Sequence, residues 1–123
     1  MSIPTLVYAQ SVLQPTVELG DQASLVAKGA GAIVSVEVTC ATPTNVTSVF
    51  VNFIQRTGNQ TSRGSGFAQS FNCDSTPQTI EVLVTADSRP FKKGPAVAQA
   101  FLSACTPDFF CENAQDAEEI RIK

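Results

Sequence analysis

The chain has no histidine and no tryptophan among its 123 residues, one tyrosine, one methionine, and only 15% charged residues. Each shortage closes off some chemistry. Histidine is the usual base for a serine or cysteine nucleophile, so triad hydrolysis and Cys–His catalysis lack their central group. No apolar run approaches the roughly 20 residues of a membrane-spanning helix. Eight Lys and Arg against eleven Asp and Glu give a net charge of −3 and a pI near 4.7. Apart from Lys92-Lys93 the cations are scattered, so no basic stripe can neutralise a run of phosphates, and nucleic acid is not an expected partner. The lysine pair itself reads as a solvated loop.

What is present is a β-rich domain. Apolar residues reach 43%, enough for one core in a chain of this length. Residues 1–15 include Ile3-Pro4-Thr5-Leu6-Val7-Tyr8-Ala9, which ends like a signal peptide. They lack a charged start and the roughly 7–15 apolar residues of a working leader. They read as an N-terminal extension or arm, or as an added start to a mature domain, and 16–123 as a single β-sandwich domain.

Period-two alternation and β-branched runs recur between turn residues, and no stretch holds a helical period. Strands are expected at Thr16 to Leu19, Ala23 to Lys28, Ala32 to Cys40, Val46 to Arg56, Phe67 to Cys73, Gln78 to Ala86, Ala96 to Cys105 and Glu118 to Lys123. Ala32 to Cys40 is the clearest, with Val34, Val36, Val38 and Cys40 on one face. In Val46 to Arg56, by contrast, both faces are partly apolar. Thr57 to Gly66, rich in glycine and polar residues, reads as the longest irregular stretch. Together these segments predict an all-β fold, an antiparallel immunoglobulin-like β-sandwich of seven to eight strands stapled by disulfides at one end.

Cys40, Cys73 and Cys105 each end an expected strand, and Cys111 precedes the final one across a short connection. Because successive antiparallel strands reverse direction, all four should gather at one rim. Four cysteines allow three pairings. The short Cys105 to Cys111 loop makes a local bridge easy and leaves Cys40 with Cys73; an inter-sheet Cys40–Cys105 bridge is the competitor, without the tryptophan and tyrosine corner that accompany it in immunoglobulin domains. The loop-entropy model gives about 4 kcal/mol for the long loop and roughly 2–3 kcal/mol for the short one. Structural zinc sites use close C-x2–4-C ligand pairs, and calcium loops a D-x-D-x-D run with its glycine. Neither pattern occurs, so no metal and no cofactor is expected, and disulfides imply an oxidising compartment, secreted or at the cell surface.

The run Val36-Glu37-Val38-Thr39-Cys40, then Val49-Phe50-Val51 with Gln55, Arg63-Gly64-Ser65-Gly66, Cys73-Asp74 and Phe91-Lys92-Lys93-Gly94-Pro95-Ala96 resembles a group of small exported β-sandwich proteins of actinobacteria. Their function is not established. The resemblance spans residues 17 to 122 and implies the Cys40–Cys73 pairing, the recurrent one of that group. From Cys105 onward, Cys105-x5-Cys111 followed by Asp116-Ala117 is also similar to the end of the neocarzinostatin-type apoproteins, immunoglobulin-like carriers of an enediyne chromophore. Their earlier short disulfide has no counterpart here.

For function these readings favour binding over catalysis, and no enzyme is expected. Asp108, Glu112, Asp116, Glu118 and Glu119 crowd the C-terminal third, as solvated charges on loops and outer strand faces do. Asn45-Val46-Thr47 and Asn59-Gln60-Thr61 match a glycosylation pattern short enough to recur by chance. The tip Pro107-Asp108-Phe109-Phe110 is the expected binding site, because neighbouring side chains in an extended loop diverge and at least one ring should be exposed. Thr44, Asn45 and Thr76 belong to the loops expected beside it. The expected function is an exported module that binds a protein, glycan or small molecule through these rim loops. Two alternatives are a structural subunit of an extracellular or virion assembly, a homo-oligomer using residues 2–15 as an arm, and a small inhibitor of a secreted enzyme.

Overall fold

A computed structural model describes residues 15–41, 46–69, 73, 75–106 and 110–123. The remaining positions, including all of 1–14, lie outside the described residues. Seven strands follow one another: β1 (Thr16–Val26), β2 (Gly31–Thr39), β3 (Val46–Thr57), β4 (Gln60–Gln69), β5 (Gln78–Ala86), β6 (Gly94–Cys105) and β7 (Cys111–Ile122).

The all-β reading holds, with a correction to the architecture. In place of an open antiparallel sandwich the strands close into a mixed barrel, in the order β1-β2-β5-β4-β3-β6-β7. Long antiparallel ladders join β1 to β2 to β5, and β4 to β3 to β6 to β7. Two short seams complete the ring. Gly64 and Ser65 of β4 pair with Ala86 and Thr85 of β5, and Gln22 and Ala23 of β1 pair in parallel with Arg121 and Ile122 of β7. The parallel seam is what a purely alternating scheme of strands cannot foresee.

Three local differences have physical causes. The stretch Thr57 to Gly66, expected to be irregular, is a tight hairpin in which Thr57 pairs with Gln60. Gly58 takes φ 61° at the first loop position, the conformation that a type II′ turn asks of glycine. The two strands expected at the start are one, β1, with a register jump between Leu19 and Ala23 where Gly20-Asp21-Gln22 bulges. β7 starts at Cys111, well before Glu118, because its early inward positions are Ala114 and Asp116 and carry little apolar signal.

The core is filled from alternate positions. Val34, Val36 and Val38 of β2, Val49, Val51 and Phe53 of β3, and Val82 and Val84 of β5 are all buried. β6 contributes Ala96, Ala98, Ala100 and Ala104 around a single Leu102, so small side chains on one wall accept larger ones from the other. Ile120 and Ile122 turn inward as expected.

At the end away from the cysteines Phe91 plugs the barrel. Its ring meets Phe53 edge-on at 5.7 Å, and its amide donates to the Gly29 carbonyl. Buried Gln55 fixes the loop around it, donating to the Lys92 carbonyl at 2.7 Å and accepting from the Lys92 amide at 2.8 Å. Ser62, also buried, donates to the Pro90 carbonyl. Lys92 and Lys93 themselves are exposed.

Candidate functional site

Both disulfides stand at the same rim. Cys40 is bonded to Cys73, and both are buried against Ala104. Cys105 is bonded to Cys111, its direct cross-strand partner at a Cα separation of 4.0 Å. The Thr106 amide donates to the Phe110 carbonyl, and the Phe110 amide returns a bond to the Thr106 hydroxyl. This closes the tip of the β6–β7 hairpin.

Of the site residues expected from sequence, Thr44, Asn45, Pro107, Asp108 and Phe109 lie outside the described residues. Thr76 is exposed, and Phe110 is 54% exposed. The more extensive feature is on the adjoining face. Because side chains alternate along a strand, the odd-numbered positions of β6 and β7 point outward, and the β3 and β4 partners in register join them.

Along that face the pairing sets the side chains in rows. Phe67 of β4 is opposite Phe50 of β3, Phe50 is opposite Phe101 of β6, and Phe101 is opposite Gln115 of β7. Phe67 is 58% exposed, Phe50 42% and Phe101 37%. The Phe50 and Phe101 rings have centroids 6.3 Å apart and planes tilted by 35°, an offset pair open to one side. Toward the Cys105–Cys111 bridge the next row holds Ser48, Ser103 and Asn113. On the other side are Ser65, Asn52, Gln99 and Ala117. None of these three rows holds a charged residue; charge returns only with the row Arg63, Ile54, Val97 and Glu119.

Two clefts open along the uncharged rows. One, of about 450 Å³, is lined by Ser48, Phe50, Phe101, Ser103, Asn113 and Gln115, with Leu102 and Ala114 at its floor. The second, of about 400 Å³, shares Phe101 and Gln115 and continues past Gln99 and Ala117 to Asp116. Among the described residues, the side chains of Gln99, Asn113 and Gln115 take no hydrogen-bond partner. Asp116 is engaged elsewhere, with its carboxylate accepting from the Leu19 amide at 2.9 Å across the β1–β7 seam. Glu118 is hydrogen-bonded to Asp116, and that bond together with the like charge of Asp116 raises its carboxyl above the ordinary value.

Sequence reasoning passed over this face. The signal was in β3, where Phe50 and Ile54 interrupt the polar side of the alternation, but only the register aligns Phe50 with Phe67 and Phe101.

No known protein family matches the chain, and no curated protein is significantly similar to it. Among the described residues no helix is long and apolar enough to cross a membrane.

Proposed function

We propose that the protein is a non-catalytic, exported binding module whose working surface is the outer face of β4, β3, β6 and β7 beside the Cys105–Cys111 bridge. The observation that carries this is the row Phe67, Phe50 and Phe101, three partly exposed rings on adjacent strands. Exposed aromatics held on a sheet present large contact area while losing little side-chain freedom on binding. The flanking rows supply uncharged donors and acceptors, and the clefts give the face relief. Two disulfides support export, since thiols stay paired in oxidising compartments. The serines on this face have no histidine to activate them, because the sequence contains none.

The test is a screen of uncharged fragments, saccharides and short peptides against the backbone amide spectrum. Shifts should cluster on β3, β6 and β7 around Phe101 and should vanish in the triple variant Phe50→Ser, Phe67→Ser, Phe101→Ser. Shifts that cluster on another face, or that survive in a folded triple variant, overturn the proposal.

A further inference from the structure

We infer that the ligand of this face is a neutral saccharide that stacks on Phe101 and is read at its hydroxyls by Gln99, Asn113 and Gln115; this rests on the reading of the face as a binding surface. The two clefts meet at Phe101 and Gln115 and run along β6 and β7, from the Ser103–Asn113 pair to the Gln99–Ala117 pair. Each falls within the roughly 300–1,000 Å³ range of small-molecule sites, and two such clefts side by side, sharing Phe101 and Gln115, suit a linear ligand of more than one ring.

The lining selects the chemistry. A sugar ring has apolar C–H faces and a rim of hydroxyls that both donate and accept. Phe50 and Phe101 offer an apolar platform for the first, and side-chain amides, which also both donate and accept, match the second. An anionic ligand would lose hydration without finding a counter-charge, because these rows hold no cation, and a cation would meet only Asp116 at one end, whose carboxylate already accepts from the Leu19 amide. A wholly apolar ligand would strip water from the amides of Gln99, Asn113 and Gln115 and leave them unpaired, a cost that a polyol avoids.

The experiment titrates the full chain, isotope-labelled, with cellohexaose, maltohexaose, xylohexaose and chitohexaose at millimolar concentration. At least one should shift the amides of Gln99, Phe101, Asn113 and Gln115. Phe101→Ala should weaken that binding about tenfold or more in a chain that stays folded by its amide spectrum, and Gln115→Ala should weaken it with Phe101 intact. If no hexasaccharide acts but an uncharged aromatic fragment shifts the same amides, the saccharide is overturned and the binding face stands. If those amides broaden with protein concentration alone, the occupant is a second copy and the saccharide is again overturned. If no probe moves them, both readings fall.

Discussion

The side-chain amide of Gln55 exchanges two hydrogen bonds with the backbone of Lys92, giving one to its carbonyl and taking one from its amide. A side chain here does what a strand neighbour would do, and it holds the loop that carries Phe91 into the barrel end. Gln55→Leu leaves both Lys92 groups without that partner in a site where Gln55 is 1% exposed. Chemical denaturation should show a loss of about 2–3 kcal/mol. A loss under about 0.5 kcal/mol would mean that the loop holds itself.

The β1–β7 seam gives a pH-dependent prediction. Glu118 titrates higher in the folded chain than in the unfolded one, because Asp116 beside it favours the protonated form. Its contribution is therefore fully present at acid pH and lost as pH rises through its folded value. Glu118→Gln keeps a neutral hydrogen-bonding partner for Asp116. The variant should melt higher than the parent at about pH 7, and the gap should close below about pH 4. Asp116→Ala, which removes the acceptor of the Leu19 amide, should instead cost about 1–2 kcal/mol, and Asp116→Asn less, since it keeps a carbonyl oxygen there.

The rings divide sharply by position. Phe53 is wholly buried, and Phe53→Ala should cost about 3–5 kcal/mol. Phe67→Ser, at a ring 58% exposed, should cost under about 1 kcal/mol in the same denaturation series. Comparable losses at both would return Phe67 to a structural role.

Gly66 and Gly58 separate two reasons for glycine. A Cβ on Gly66 would collide with the Leu83 carbonyl of β5, next to the Gly64 and Ser65 pairing. Gly66→Ala should therefore cost about 1–3 kcal/mol or more through forced separation of the strands. A Cβ on Gly58 meets nothing within 4 Å, yet its φ of 61° disfavours other residues. Gly58→Ala should cost about 1–2 kcal/mol, and Gly58→Asn clearly less, because asparagine tolerates that conformation. Melting curves of the three variants decide the ranking.

These contrasts also explain what could be read from the sequence. β2 and β5 announce themselves because β-branched residues repeat at alternate positions, Val34, Val36 and Val38 in one and Ile80, Val82 and Val84 in the other, and their bounds follow within a residue. β4 is silent because its inward positions include Ser62, Gly64 and Gly66: at Gly64 the neighbouring space is occupied by the Phe91 ring, donated by a distant loop. β7 is half silent because Asp116 and Glu118 face a seam, where the core pattern does not apply. The rim follows from strand alternation alone, and both bridges are there. The aromatic row needs register as well, since Phe50, Phe67 and Phe101 are far apart in the chain and meet only when three strands align.

The parallel seam has a mechanical consequence. At its far end the Leu25 amide donates to the Lys123 carbonyl and the Lys123 amide to the Ala23 carbonyl, both at 2.8 Å. Since β1 and β7 run the same way, tension applied at Thr16 and Lys123 pulls along the strands in opposite senses. Those bonds and the Leu19–Asp116 bond then carry load together in shear, where a hairpin pulled from its open end would unzip one bond at a time.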